Sequence, residues 1–363
     1  MASTNKFFTN LSVAQKDIRD LRELIPMSIF QDEDFNKFVT LRKVQNGDPV
    51  GLIGDMDAVG FAGADCDPTY VETGIANAQK RWALGDWHIP IKICYDALQG
   101  TIAEWQLKTG TDVADLTSTE FMTYIIRPAL EKAMRTMIWR IGWFGDTSAA
   151  VIASGGVLTA GTDPNLFKST DGFWKKLFAI GTATAAQVTA ISANTATAGS
   201  PAAITSAAQK AAILTQGVAT GIFDSMIMDA DSRITADPDS IILCTKALAD
   251  ALTYDVKKVH NQIMPWEAVF EGVKISEYGG YKIAAISIWD RMINSYENAS
   301  TYLNKPYRAV FVNPKNLQVG TNADSLISDL DVWFDHKERR NYIYATGKIG
   351  TMVLEDAMVH LAY

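Results

Sequence analysis

The clearest periodic pattern of apolar and polar positions lies at residues 117–141. Apolar side chains recur there at spacings of three and four, and charged side chains take the opposite side. Thr117 and Glu120 form a capping box at the start, and Pro128 predicts a bend in the helix rather than a break. The pattern predicts an amphipathic helix of roughly 35 to 40 Å that acts as a spine. Its buried positions are Met122, Ile126, Leu130, Met134, Met137 and Ile141.

Alternation with a period of two is strongest at residues 87–95, which predicts a strand, and Pro90 confines that strand to a sheet edge. Residues 70–82 can also be extended, and residues 83–86 read as a turn, so the two segments predict one long hairpin. Such a hairpin is marginally stable alone and is expected to rest on another domain or molecule. Its predicted tip carries side chains of the kind enriched at protein interfaces, namely Arg81, Trp82, Trp87 and His88.

An alternation of strand and helix patterns follows in the second half of the chain. Residues 239–245 predict a strand, 246–258 a helix, 272–289 two strands joined through Gly279 and Gly280, and 306–314 another strand. This order predicts a mixed sheet covered by helices. Upstream, residues 171–181 predict a short helix, residues 181–202 a loop rich in small residues, and residues 203–231 one helix that Gly217 and Gly221 weaken.

The two ends of the chain have different patterns. Residues 12–25 predict a short amphipathic helix that ends at Pro26 and is too short to be stable alone. Residues 330–335 and 341–353 predict two strands joined by a charged turn at residues 336–340. The C-terminal region is therefore expected to form a long, charged hairpin.

Composition narrows the class of protein. The chain has 363 residues, 48% of them apolar, which is ordinary for a folded protein with one large core or two domains. The net charge of −8 argues against nucleic-acid binding through bulk electrostatics. Cys66, Cys94 and Cys244 are too far apart for a zinc motif or a disulfide framework, which favours a reducing compartment. Neither a signal peptide nor a membrane span is apparent, so a cytoplasmic site of synthesis is expected.

Candidate chemistry is sparse. The glycine-rich stretch at residues 51–63 lacks the lysine of a phosphate loop and is interpreted as a flexible loop. Residues 346–351 lie in a strand pattern, where glycines indicate a bulge or a close backbone approach. The four aspartates of residues 55–67 do not match a calcium loop, and the four histidines lack metal-binding spacing. No catalytic, cofactor or metal site is predicted.

The order of these parts resembles the major capsid protein of tailed double-stranded DNA bacteriophages, whose fold is shared with encapsulins. The resemblance covers nearly the whole chain. It is carried by WRIGWFGD at the end of the spine helix, DGFWKKLF, IILCTKALADALTYDV, YRAVFVNPKNLQVG and the final FDHKERRNYIYATGKIGTMVLEDAMVHLAY.

This resemblance implies an α+β fold of four parts. These are an N-terminal arm, an extended hairpin loop, a peripheral domain built on the spine helix, and an α/β axial domain. The implied bounds are 1–38 for the arm, 39–96 for the extended loop, 97–148 with 322–352 for the peripheral domain, and 149–321 with 353–363 for the axial domain.

The resemblance also implies a structural protein and not an enzyme. Its copies would form hexamers and pentamers, made in the host cytoplasm, that build the icosahedral head of a virion. The implied partners are further copies of the chain, a scaffolding protein, a portal and a decoration protein. Double-stranded DNA would be enclosed without sequence-specific binding, and neither a cofactor nor a membrane is implied.

Two groups of residues are predicted to contact neighbouring subunits: Arg81, Trp82, Trp87 and His88, and the charged turn with Lys337, Glu338, Arg339 and Arg340. Replacing Trp82 and Trp87 together by alanine is expected to block assembly and leave the monomer folded. Two alternative functions remain open. One is an encapsulin-like compartment that encloses a cargo enzyme, and the other is a cytoplasmic enzyme whose site is assembled only by folding.

Overall fold

The computed structural model of the protein contains both helices and sheets. It describes residues 35, 37–56, 75–94, 127–197, 204–259, 261–270, 272–322, 329–335 and 340–363. The predicted arm helix at residues 12–25 and the predicted capping box of Thr117 and Glu120 therefore lie outside the described residues, as do Asp57, Asp65 and Asp67.

Helices and strands alternate through most of the described chain. The helices are α1 (Arg127–Phe144), α2 (Phe173–Ala183), α3 (Ser206–Ile213), α4 (Val218–Asp229), α5 (Ser232–Ala236), α6 (Lys246–Val259) and α7 (Ser287–Tyr296). The strands are β1 (Thr40–Lys43), β2 (Pro49–Met56), β3 (Ile75–Arg81), β4 (Gly85–Cys94), β5 (Val188–Thr189), β6 (Ile241–Thr245), β7 (Glu267–Phe270), β8 (Val273–Tyr278), β9 (Tyr281–Ile286), β10 (Ala309–Val312), β11 (Leu317–Thr321), β12 (Asp329–Asp335), β13 (Arg340–Val353) and β14 (Val359–Ala362).

Helix α1 has the buried face that the sequence predicts. Met134, Met137 and Ile141 are buried, whereas Lys132 is exposed. The last turn adds Trp143, whose ring packs edge-on against Trp289 of α7 at a centroid distance of 4.5 Å. This aromatic contact joins the end of the spine helix to the second half of the chain.

A seven-stranded mixed sheet has the order β5-β14-β10-β6-β9-β8-β7. Four of its strands, β6, β8, β9 and β10, were predicted from the α/β pattern, and β6 pairs with β9 in parallel. Strands β5, β7 and β14 were not predicted. Ile241 and Leu243 of β6 belong to one core cluster, and Ile242 and Cys244 belong to the other. Because successive strand residues point to opposite faces, the sheet has a core on each side. Helices α1, α2 and α7 cover one face, and α4 and α6 cover the other.

A second, five-stranded sheet is organised around the long strand β13. Strands β12 and β4 flank its N-terminal part, and β11 pairs with residues 350–353. Strand β1 then pairs with β11 in parallel. The predicted pairing of the two C-terminal strands is confirmed, and β4 lies at the sheet edge, as Pro90 predicts.

The predicted hairpin between residues 70–82 and 87–95 is wrong. Strand β3 pairs with β2, and β4 pairs with β13, so the segment between them crosses from one sheet to another. The sequence interpretation took the nearest extended segment as the partner, but β4 pairs with β13, and Trp87, Ile89 and Ile91 pack into the large core cluster. Residues 51–56 accordingly form part of β2 and not a loop.

The single helix predicted for residues 203–231 is also wrong. The chain forms α3 and α4 with a turn between them, and Gly217 at this break has a φ of +84°. That backbone conformation is accessible to glycine at little cost and is incompatible with a continuing right-handed helix. The sequence interpretation treated Gly217 as a residue inside one helix, whereas Gly217 lies at the break between α3 and α4.

Candidate functional site

The two strands β2 and β3 form a separate antiparallel ribbon, and its base is closed by backbone hydrogen bonds. The Trp82 N–H donates to the Asp48 carbonyl at 3.0 Å, and the Gly47 N–H donates to the Trp82 carbonyl at 2.8 Å. The ribbon is joined to the rest of the chain at this point. These two hydrogen bonds extend the pairing of β2 and β3 to the base of the ribbon.

Trp82 lies inside this base and not at an exposed tip. Its side chain is 2% exposed and lies directly over Gly320 of β11. A Cβ atom at Gly320 would come within 2.6 Å of the Trp82 ring, so only glycine leaves room for it. The prediction that Trp82 is presented to solvent is therefore wrong. The reason is that the crossing from β3 to β4 brings the segment over the five-stranded sheet.

Trp87 is likewise buried, at 4% exposure, and it faces Gly347 in the ladder between β4 and β13. Its neighbour His88 is exposed, and its ring stacks on Tyr344 with a centroid distance of 6.2 Å. Arg81 is exposed at the end of β3. Of the predicted contact residues near the ribbon, only Arg81 and His88 are accessible.

The second predicted group lies mostly beyond what the structure describes. Lys337, Glu338 and Arg339 are outside the described residues, and the backbone of Arg340 begins β13, opposite Cys94.

Two lysines bind the end of β13, Lys80 from the base of the ribbon and Lys176 from α2, and neither role was predicted from the sequence. The Lys80 ammonium donates to the Val353 carbonyl at 2.8 Å and to the Asp356 carboxylate at 2.6 Å. The Lys176 ammonium donates to the Thr351 carbonyl. Burial lowers the pKa of Lys176 to about 8, and the nearby Lys80 charge adds to this effect. Each contact joins residues far apart in the chain, so no local pattern could have indicated it.

A group of polar residues at the start of α2 supports the same strand. Lys175 donates to the carboxylates of Asp146 and Asp171 at 2.6 and 2.8 Å. Burial alone would raise the pKa of Asp171, but hydrogen bonds from Lys175 and Thr147 hold it below its ordinary value. The Thr351 hydroxyl donates to the Asp171 carbonyl at 2.6 Å. The end of the spine helix, α2 and β13 are thereby held together.

A buried cation lies on the other side of α2. Arg308 is fully buried and pairs with Glu297, and its guanidinium lies 5.3 to 5.5 Å from the rings of Phe144, Trp174 and Phe178. Lys305 lies 3.9 Å from the ring of Tyr363, and burial lowers its pKa to about 8. These charges hold α1, α2 and the C-terminus together. They are structural contacts.

Within the described ranges, no group of three or more potential metal ligands is present. His360 is buried against Thr189 at 2.9 Å, and burial lowers its pKa. His260 and His336 lie outside the described residues.

No single helix in the described part of the chain is long and apolar enough to cross a membrane. Helices α3 and α4 together would meet the length and composition criteria, but they are bent by 72°. Their apolar side chains Ile213, Ile222 and Phe223 are buried in the core.

No protein-family model matches the chain, and no curated protein matches it by sequence. Solved structures do match. A chain of the satellite phage P4 procapsid, in a structure that includes the size determination protein, aligns with a TM-score of 0.50 at 12% identity and covers 94% of this chain and 98% of that chain. A chain of Mycobacterium phage Ogopogo aligns with the same TM-score and identity and covers 91% of each chain. The chain has the capsid fold of tailed phages.

The α+β capsid fold predicted from the sequence is thus confirmed. The match extends over almost the full length of both chains, so it includes both sheets and the spine helix and not one common motif. Within the capsid fold, the ribbon of β2 and β3 occupies the part of the chain that the sequence analysis assigned to the extended loop.

Proposed function

We propose that this chain is a major capsid protein, a structural subunit and not an enzyme. Its copies form hexamers and pentamers, and these build the icosahedral head shell that encloses double-stranded DNA in the virion. The observation that carries the proposal is the capsid fold, which matches a procapsid chain over 94% of this chain. The ribbon of β2 and β3 also favours assembly, because an isolated two-stranded ribbon is marginally stable without a surface to lie on.

The division into domains follows the two sheets. The peripheral domain consists of α1 with the five-stranded sheet, and the axial domain consists of the seven-stranded sheet with its helices. Under this proposal β1, β4 and β11 belong to the peripheral domain, since they share a sheet with β13. The extended loop is then shorter than residues 39–96 and is centred on β2 and β3.

The partners are proposals as well. We infer that a scaffolding protein and a portal act during assembly in the host cytoplasm, and that a decoration protein binds the finished shell. The net charge of −8 favours DNA that is enclosed by the shell and not bound tightly through its phosphates, since phosphate binding requires clustered cations.

The test is electron microscopy of the purified full-length chain, expressed alone and with its genomic neighbours. Hollow icosahedral shells, or rings of five and six subunits, are expected. Nuclease-resistant DNA inside the shells would distinguish a phage head from an encapsulin-like compartment, which would hold a cargo protein. Small closed oligomers at every protein and salt concentration would contradict the proposal and favour the enzyme alternative.

A further inference from the structure

An open cavity of about 480 Å³ lies between α6 and one face of strands β7, β8 and β9, and we call it the trough. Its floor is one row of residues across the sheet: Ala268 pairs with Lys274, and Lys274 pairs with Ala285. The wall is the first half of α6, with Ala249 and Asp250. The trough has the size of a typical binding pocket.

Small side chains keep the trough open. Ala249, Ala268, Ala285 and Gly272 line it at positions where a helix and a sheet normally interlock through larger apolar side chains. Trp266 stands at its side and is fixed there, because its indole N–H donates to the Thr253 hydroxyl at 2.9 Å. The trough is therefore a shaped cleft with a rigid aromatic side wall.

The charges in the trough do not balance. On the wall, Lys246 pairs with Asp250 one helical turn later. Lys274, in the middle of the floor row, is exposed and has neither a hydrogen bond nor an ion pair among the contacts of the described residues. The trough thus presents one uncompensated positive charge beside mostly apolar surface.

Exposed apolar side chains also occur near the end of α6 and in the connection after it. Ile263 is 87% exposed, and Tyr254 and Val259 of α6 are also exposed. Exposed apolar residues are a common feature of interaction sites. The trough, with its mostly apolar lining, is the candidate docking site.

We propose that the trough receives an acidic, partly apolar segment of a second copy of this chain. The inference rests on the proposed function and names a contact within the ring of subunits. Charge complementarity supports a second copy, because the chain has 41 acidic against 33 basic residues. A two-fold axis passing through the trough would place one Lys274 against the other. The trough therefore suits a head-to-tail contact with a different surface, which closes into a ring.

The first test is lysine footprinting of the wild-type protein. Free subunits and assembled particles are treated with an acetylating reagent, and modification is quantified by mass spectrometry at Lys274 and at Lys210. Lys210 is a matched control, because it is exposed on α3 and has no ion pair among the described residues. Lys274 is expected to become protected on assembly, and Lys210 is not. Equal modification of Lys274 in both states would overturn the proposal, and protection already in free subunits would indicate a small ligand in its place.

The second test compares Lys274→Glu and Ala268→Trp with Lys210→Glu. Ala268 is exposed, so a tryptophan there fills the trough without disturbing the core. Both trough variants are expected to raise the subunit concentration needed for assembly by about tenfold or more, whereas Lys210→Glu leaves it unchanged. Circular dichroism checks that each variant folds. If a variant does not fold, the lysine footprinting of the wild-type protein tests the proposal in its place. If the wild type assembles and both trough variants assemble equally well, the proposed contact at the trough is wrong and the proposed function is unaffected. If wild type forms neither rings nor shells, the proposed function fails, and this inference fails with it.

Discussion

At the scale of single residues, Trp82 shows how burial depends on distant partners. A tryptophan beside a turn, with no neighbouring apolar stripe, favours an interface residue from sequence alone. The structure places its ring on Gly320, whose missing side chain creates the space. Lys80 is similar, since its acceptor on Val353 lies 273 residues away. Large side chains without a local pattern acquire their role only from such contacts.

The sequence predicted that replacing Trp82 and Trp87 by alanine would leave the monomer folded. Because Trp82 is buried, its replacement is instead expected to destabilise the folded chain. Trp82→Ala is expected to lower the free energy of unfolding by about 3 to 5 kcal/mol, because it leaves a cavity over β11. Urea denaturation followed by circular dichroism measures this change. Tyr254→Ala is the control, since Tyr254 is 42% exposed, and a change within about 0.5 kcal/mol is expected for such a surface substitution. A loss below about 1 kcal/mol for Trp82→Ala would show that the site is not tightly packed.

At the scale of elements, α6 shows that a helix can take its cap from elsewhere in the fold. The helix follows β6 without a linker, so there is no room for a local capping turn. The Asp290 carboxylate of α7 accepts hydrogen bonds from the N–H groups of Lys246 and Ala247, at 2.6 and 2.9 Å. Burial raises the pKa of Asp290 to about 6, although these hydrogen bonds oppose the shift.

This cap predicts a specific dependence of stability on pH. Between pH of about 4 and 6, the folded state holds a proton on Asp290 that the unfolded state has released. The free energy of unfolding therefore falls as the pH rises through this window, by up to about 1.4 kcal/mol per pH unit relative to Asp290→Asn. Urea denaturation at several pH values measures the difference.

Asp163→Asn is the control for this experiment. Asp163 is an exposed cap that accepts a hydrogen bond from the Asn165 N–H at 2.9 Å, so its variant makes the same change from carboxylate to amide at a position that is not buried. If the free energy of unfolding depends on pH in the same way for wild type and Asp290→Asn, the raised pKa assigned to Asp290 is contradicted.

At the scale of the whole molecule, the ribbon of β2 and β3 stands apart from both sheets. Its base is fastened by Lys80 and closed by the backbone of Trp82. This arrangement favours a role in assembly over a role in folding.

Deleting the ribbon separates these two roles. Val50 and Lys80 face each other in the ladder, so residues 51–79 can be replaced by Asn-Gly, a turn that joins two antiparallel strands. The shortened chain is expected to keep the wild-type thermal unfolding profile and to lose the ability to form shells under electron microscopy. Normal shells would contradict the role in assembly, and an unfolded product would show that the ribbon is required for the fold.

The sequence by itself determined the elements whose pattern is local. The buried stripe of Met134, Met137 and Ile141, the alternation of strands and helices after residue 239, and the edge position required by Pro90 all follow from periodicity or from one residue's chemistry. The capsid fold itself was predicted from the resemblance of the order of parts to the major capsid proteins of tailed phages, and not from these patterns alone.

The tertiary structure decided which segments meet. It set the pairing of β3 with β2 and of β4 with β13, the burial of Trp82 and Trp87, the cap of α6 and the trough above Lys274. Periodicity specifies which face of a strand is apolar, but it does not specify which distant strand pairs with its edge or which segments cover its face. Which strands pair depends on how all the core side chains pack together. It is therefore determined only in the folded chain.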